Sequence, residues 1–134
     1  MTPKHEVKLI PINLLVVNPK NPRFNPVESE PEAILKIVKD QADKLINLAS
    51  DIINEGLNPS DLPIVTPLIE EGGEGDRFLT QEGNRRVATL KLLNAPTLAD
   101  KASKTFQKKL KPLADKYLAK INYIFFTNVV KHVV

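Results

Sequence analysis

The sequence of 134 residues contains no cysteine. This absence excludes disulfides, thiolate metal sites, thiol redox chemistry and cysteine nucleophiles, and it fits a reducing compartment. The two histidines, His5 and His132, stand near opposite ends of the sequence and do not have the spacing of a zinc ligand pair. We therefore predict no metal site.

Long apolar runs are also missing from the sequence. No run approaches the ~20 residues of a membrane span, and the first six residues do not open a signal peptide. Internal repeats and low-complexity segments are absent as well. We therefore expect a cytoplasmic protein that has no membrane partner.

The composition is that of a globular protein, with 42% hydrophobic and 26% charged residues. Its length predicts a single domain over residues 1–134, which could be the front module of a longer protein with further domains. Residues 1–67 hold 7 Lys/Arg against 9 Asp/Glu, whereas residues 68–134 hold 12 against 7. The excess of positive charge in the second half suits an anionic partner.

The clearest predicted element is a long amphipathic helix over residues 30–55. Ser29 and Glu32 form a capping box at its start, with Pro31 suited to the first turn, and Gly56 ends it. Apolar residues recur at three- and four-residue spacing throughout. The pattern also allows two helices with a bend near Asp40-Gln41.

The remaining elements alternate short strands and helices around proline and glycine breaks. The fold class they predict is α/β (α+β), a small mixed sheet with packed helices. Strands are predicted at Val7–Ile10, Leu62–Ile69, Arg77–Thr80 and Ile121–Phe126, helices at 84–93, 97–111 and 113–120, an extended loop at Asn18–Pro26 and a mobile turn at Glu70–Asp76.

The turn Glu82-Gly83-Asn84-Arg85-Arg86 joins a predicted strand to a predicted helix. A helix N-terminus offers backbone N–H groups and a positive dipole end to an anion. Gly83 lets the chain turn and a ligand approach, Asn84 suits the helix cap, and the two arginines add forked donors for phosphate. A purely structural role explains the arginines poorly, because cations in the first turn oppose the dipole. We predict a phosphate-binding site here.

Three segments resemble ParB-like N-terminal domains and occur in the order of that family. Leu48–Pro59 resembles a helix that runs into a Gly-Leu-x-x-Pro turn, Gly83–Arg86 resembles the Gly-Glu-Arg-Arg box, and Asn21-Pro22-Arg23 resembles an Asn-Pro-Arg near the domain start. The resemblance extends over most of the chain, residues ~7–126. The resemblance implies a small α/β fold of the ParB/sulfiredoxin superfamily, with a nucleotide-phosphate pocket at the box.

The departures from that family narrow the expected activity. Asn84 stands where partition proteins have glutamate, which argues against CTP hydrolysis, and the helix-turn-helix, the dimerisation segment and the later acidic-Asn-x-x-Arg motif are missing. Sulfiredoxin activity is excluded because this turn holds no cysteine. The function expected is a nucleotide-, phosphate- or DNA-backbone-binding module of a DNA-associated protein.

Softer candidates accompany the box. Arg23 has two interpretations: it reaches the same pocket, as the resemblance also implies, or it is a surface arginine. Glu82 likewise has two: it serves as a catalytic base or metal ligand, or it pairs with an arginine. A lysine stripe would contact nucleic-acid backbone or be a solvated helix face. It comprises Lys101, Lys104, Lys108 and Lys111.

Two other functions stay open at this point. One is a metal-dependent nuclease or nucleotide hydrolase, which needs a carboxylate-held divalent metal beside the box, with a nucleotide and Mg²⁺ as its cofactors. The other is a protein-interaction domain in which the box is vestigial.

Overall fold

The computed structural model describes residues 4–20, 29–56, 62–68, 77–120 and 126–133. Within these ranges the strands are β1 (Lys4–Pro11), β2 (Leu15–Val16), β3 (Ile64–Pro67), β4 (Phe78–Glu82) and β5 (Phe126–Val133), and the α-helices are α1 (Glu30–Glu55), α2 (Asn84–Asn94) and α3 (Lys104–Lys120). Short 3-10 helices lie at Ile12–Leu14 and Pro96–Ala99. The predicted α+β class with a small mixed sheet is confirmed.

The described strands form one mixed sheet in the order β1-β5-β3-β4-β2. β5 runs antiparallel to β1 and parallel to β3, and β4 runs antiparallel to β3 and parallel to β2. Because β2 and β4 are parallel neighbours, their carboxyl ends meet at the same edge of the sheet. The segment after β2 and the turn after β4 are thereby brought together.

Helix α1 has the predicted bounds, and its start is built as the sequence predicts. The Ser29 Oγ accepts a hydrogen bond from the Glu32 N–H at 3.4 Å, and Pro31 lies in the first turn. The predicted bend is present, since Gln41 has the non-helical angles φ −140° and ψ 34°. Gly56 ends the helix with φ 76°, a conformation that favours glycine.

Helix α2 is the centre of the structure. It contacts α1, α3 and β4, and its buried residues point in every direction around the helix axis. The buried set comprises Asn84, Val87, Ala88, Thr89, Leu90, Leu92 and Leu93. A helix enclosed on most sides has no freedom to rotate, so its first turn is held in a fixed orientation at the sheet edge.

Helix α3 differs from the prediction at both ends. The expected helix over 97–111 is wrong before Ser103, where a 3-10 helix and a turn occupy residues 96–102. The expected break at Pro112 is also wrong, because α3 continues through it to Lys120. Proline costs about 3 kcal/mol inside a helix. Here Phe106, Leu110 and Ala114 keep one continuous buried face across it, which offsets that cost.

Several strand boundaries differ from the sequence prediction. β2 and the 3-10 helix before it were not predicted, and β5 continues from Phe126 to Val133, beyond the end of the strand predicted at Ile121–Phe126. Residues 121–125, the predicted loop over 21–26 and the predicted turn over 70–76 lie outside the described residues. Very short edge strands such as β2 carry too few residues for a period-2 pattern to reveal them.

Two further properties bear on function. Burial raises the pKa of Tyr117 in α3 to about 12, so its phenol stays protonated near neutral pH and is no general base there.

Among the described helices, none combines the length and apolar character needed to cross a membrane.

Candidate anion-binding site

Gly83 makes the turn between β4 and α2 in the left-handed region, with φ 90° and ψ 25°. A Cβ added here would lie 3.0 Å from the Pro63 Cα and 3.1 Å from the Pro63 Cβ. Pro63 is fully buried and lies just before β3. Glycine is therefore required twice, by the backbone angle and by the close approach of Pro63.

The first turn of α2 contains neither a side-chain cap nor an acidic residue that would satisfy its backbone N–H groups. The first helical bond runs from the Val87 N–H to the Gly83 carbonyl at 2.9 Å, so the amides before Val87 have no acceptor within the helix. The N-cap residue is glycine, which offers no side-chain cap, and the first turn holds no acidic residue. The positive end of the dipole is uncompensated by this turn.

Arg85 and Arg86 stand in this first turn and are half-buried. The Arg86 Nη1 would lie 3.4 Å from a Cβ on Gly83, so its guanidinium group folds back over the turn. No ion pair joins Arg85 to a carboxylate among the described residues. The turn therefore carries two cations where a helix ordinarily favours acids.

Asn84 does not cap the helix, in contrast to the sequence expectation. It is the first residue of α2, and only 7% of it is exposed. Its Oδ1 accepts from the Asn18 N–H at 2.8 Å, and its Nδ2 donates to the Thr80 carbonyl at 3.5 Å. The side chain thus contacts the segment after β2 and β4, and these two bonds use its Oδ1 and one N–H of its Nδ2.

A second polar contact holds the same segment. The Lys91 Nζ donates to both carboxylate oxygens of Glu30 at 2.9 Å and also to the Leu15 carbonyl. The Glu30 Oε2 also accepts from the Val17 N–H at 2.6 Å. The side chains of Lys91 and Glu30 are only 11% and 19% exposed. We call Glu30, Lys91 and Asn84 the polar latch, because together they hold the backbone of residues 15–18 between α1 and α2.

The spacing of the latch follows from helix and strand geometry. Asn84 and Lys91 are seven residues apart, which is about two helical turns or ~10 Å along one face of α2. Their backbone partners, Asn18 and Leu15, are three residues apart, which is also ~10 Å in extended chain. α2 therefore runs antiparallel to residues 15–18. Sequence reasoning missed this arrangement; the available signal was the seven-residue spacing that puts the polar residues Asn84 and Lys91 on one face of α2.

The other predicted site residues are not brought into a catalytic arrangement. Glu82 ends β4 with an exposed side chain, and the described residues contain no group of three His, Cys, Asp or Glu side chains suited to a metal ion. Arg23 and the Asn-Pro-Arg segment lie outside the described residues. The chain enters that segment beside the box, because Asn18 is bonded to Asn84.

The lysine stripe lies elsewhere on the molecule. Lys104, Lys108 and Lys111 share one exposed face of α3. Lys101 is also exposed, but it lies in the turn before α3 and is therefore not on the same helical face, as the predicted longer helix would have required. None of the four makes an ion pair with the described residues. Asp115 follows Lys111 by one turn on the same face.

Comparisons with known proteins give no relative for this chain: no family model matches it, and neither the curated proteins nor the solved structures include a similar one.

Proposed function

We propose that this protein is a ParB-like phosphate-binding module that takes a nucleotide phosphate at the first turn of α2. The observation that carries the proposal is the composition of this turn. A glycine N-cap without a side chain is followed by two arginines and no acid, at the edge where β2 and β4 both end. Backbone amides, the dipole end and guanidinium groups all favour the same negative ligand.

The resemblance to ParB-like domains supports the same ligand class. The Gly83–Arg86 segment that carries the resemblance is the segment that forms the strand-turn-helix. Asn84 is an exception, because its buried side chain serves the latch. In this proposal Gly83, Arg85 and Arg86 hold the phosphate, and Asn84 orients the backbone around it. The proposal extends to a cytoplasmic location for such a module.

A thermal-shift panel tests the proposal. The wild-type protein is heated with inorganic pyrophosphate and with individual nucleotides, with and without Mg²⁺. A ligand at 100 times its Kd stabilises the folded state by about 2.7 kcal/mol. Arg85→Ala should weaken pyrophosphate binding by about tenfold or more, because bonds to charged groups are strong. Lys39→Ala, at an exposed position in α1, is the matched control and should bind as wild type does.

The results separate three outcomes. Stabilisation by pyrophosphate that is lost in Arg85→Ala supports the phosphate site. Absence of stabilisation by every phosphate compound contradicts it and favours the protein-interaction alternative. Stabilisation that appears only with Mg²⁺, together with turnover of the nucleotide, favours the hydrolase alternative and calls for substitution of Glu82.

The exposed lysines support a second candidate, contact with nucleic-acid backbone. Lys101, Lys104, Lys108 and Lys111 present positive charge without a described acidic partner. Such contacts are independent of base sequence and weaken as salt increases, because bound counterions are released from the nucleic acid.

A mobility-shift titration at two salt concentrations tests this second candidate on two unrelated duplexes. The combined Lys104→Ala and Lys108→Ala variant should lower the salt slope by about one for each lost phosphate contact. Lys39→Ala with Lys44→Ala removes the same charge from α1 and should leave the slope unchanged. A large preference for one duplex that does not respond to salt would contradict non-specific backbone binding.

A further inference from the structure

The exposed side of α3 carries two rows of lysines that follow the helix axis. At about 100° of rotation per residue, the first row comprises Lys104, Lys108 and Lys111, and the second row comprises Lys109 and Lys116. All five side chains are exposed, and the buried face of α3 lies on the opposite side of the helix. Because α3 does not break at its internal proline, Lys116 belongs to the same helix as the first row.

A strip without long side chains separates the two rows. Thr105, Pro112 and Ala119 recur every seven residues and are all exposed, so they follow the axis of α3 for about 21 Å. Short side chains let a negatively charged chain approach the helix along this strip. Lysines on their flexible stems then reach that chain from both flanks.

The charge of this side of α3 is strongly positive. Four of the five lysines make no ion pair with the described residues, and the exception is Lys109, whose Nζ lies 3.8 Å from the Asp43 Oδ1 of α1. Asp115 is the single acidic residue in the sequence of α3. An anionic partner therefore complements this surface.

The remaining side chains of α3 favour contact with phosphates over contact with bases. Both aromatic residues of the helix, Phe106 and Tyr117, are buried, so neither ring is available to stack on an unpaired base. The Gln107 Nε2 donates to the carbonyls of Asp100 and Ala102 at 3.2 and 2.8 Å, which engages its donors within the protein. The surface thus lacks the stacking rings of single-strand binders and the free amide donors that read base edges.

We propose that one backbone strand of a nucleic-acid duplex lies along the strip of α3, between the two rows, and that Lys116 is a phosphate contact together with the first row. The inference rests on the nucleic-acid contact given above as the second candidate function, and it adds the path of the strand and one further contact. Lys104 and Lys116 are twelve residues apart, which is about 18 Å along the helix. One strand of B-form DNA carries a phosphate every ~3.4 Å of its axis, so this length offers a separate phosphate to each lysine.

Mobility-shift titrations at two salt concentrations test the role of Lys116. Lys116→Ala should weaken binding to a duplex and lower the salt slope by about one, as expected for one lost phosphate contact. Lys39→Ala removes the same charge from an exposed position of α1 and should leave the slope unchanged. A wild-type slope in Lys116→Ala, with a lowered slope in Lys104→Ala, would overturn the inference and leave the second candidate function intact. A wild-type protein that binds no duplex would overturn both.

Substitutions that retain every lysine test the path of the strand. Ala119→Leu keeps the charge and a residue that favours helix but fills the strip, so it should weaken duplex binding severalfold. Ala119→Ser stays small and is the control, with wild-type affinity expected. Asp115→Asn removes the acid beside the first row and should tighten binding.

Two outcomes of this second experiment contradict the proposal. Wild-type affinity of Ala119→Leu would mean that the lysines act by diffuse attraction and that no strand lies between the rows. Tighter binding of a single strand than of a duplex with the same sequence would overturn the assignment of a duplex, because it would require contacts with bases. Thermal unfolding of each variant without nucleic acid checks that the exposed substitutions leave the fold unchanged.

Discussion

The starts of helices α1 and α2 are built in opposite ways. At the start of α1, the Ser29 hydroxyl accepts from the Glu32 N–H, and Glu30 and Glu32 put two acids in the first turn. At the start of α2, the N-cap is Gly83, no side chain caps the turn, and two arginines replace the acids. The first helix satisfies its own N-terminus, whereas the second leaves amides and positive charge uncompensated by the turn itself.

The difference shows that this chain caps one helix with a side chain and leaves another without such a cap. A helix start that lacks both a cap and acids forgoes about 1 kcal/mol of stabilisation. The same start gains that stabilisation when an external anion occupies it. The contrast between α1 and α2 is therefore open to direct tests on either side.

The largest effect is expected at the turn that begins α2. Gly83→Ala forces a side chain into a left-handed backbone and places its Cβ 3.0 Å from the Pro63 Cα. We expect a loss of about 2 kcal/mol or more in the free energy of unfolding, measured by urea denaturation. Such a loss would show that the backbone angles of Gly83 and its contact with Pro63 constrain this turn.

Gly56 at the end of α1 is the matched control for that substitution. Its φ is 76°, but an added Cβ would meet nothing within 4 Å. Gly56→Ala should therefore cost only the backbone strain, which at φ 76° and ψ −173° is on the order of 1–3 kcal/mol. A loss at Gly83 of only about 1 kcal/mol, the usual strain of a left-handed residue, would mean that Pro63 gives way and that the turn is less constrained than the geometry indicates.

An intermediate effect is expected at the cap of α1. Ser29→Ala removes the acceptor for the Glu32 N–H and should lower the free energy of unfolding by about 1 kcal/mol. Ser50→Ala in the interior of the same helix is the control, and should be neutral or slightly stabilising because alanine favours helix. A neutral Ser29→Ala would mean that the first-turn acids alone satisfy this end, and the contrast with α2 would be weaker.

The smallest effect, and the one with opposite sign, is expected in α2. Arg85→Glu removes a cation from the first turn and supplies the missing acid, so the unliganded protein should gain about 0.5 kcal/mol at low salt. The same variant should lose its stabilisation by pyrophosphate, as followed by thermal unfolding. Lys39→Glu makes the same charge change in the middle of α1 and should show neither effect. A less stable Arg85→Glu would indicate that the arginine is required for folding.

The parts of the structure that the sequence predicts are those with local causes. Capping by Ser29, the bend near Gln41 and the stop at Gly56 depend on residues within a few positions of each other, and all three are present. The strand-turn-helix around Gly83 is equally local. Its proposed ligand stays a prediction, since binding depends on chemistry outside the chain.

The parts that were missed depend on contacts between distant residues. Asn84 carries a signal for a helix cap, yet it bonds to Asn18, which is 66 positions away. Lys91 and Glu30 are 61 positions apart, and each looks like an ordinary surface residue in sequence. Pro112 predicts a break, but packing of the buried face of α3 outweighs it. Tertiary packing overrides local preference in each case.

The bend at Gln41 has a consequence for how disturbances spread through α1. It divides the helix into residues 30–40 and 42–55, and isolated helices of roughly this length are marginal in water. We therefore expect each half to depend on its own packing and to open as its own cooperative unit. Loss of Glu30 should accelerate amide hydrogen exchange in the first half, and the acceleration should stop at the bend. If the second half keeps its protection, the polar latch and the rest of α1 are energetically insulated from one another.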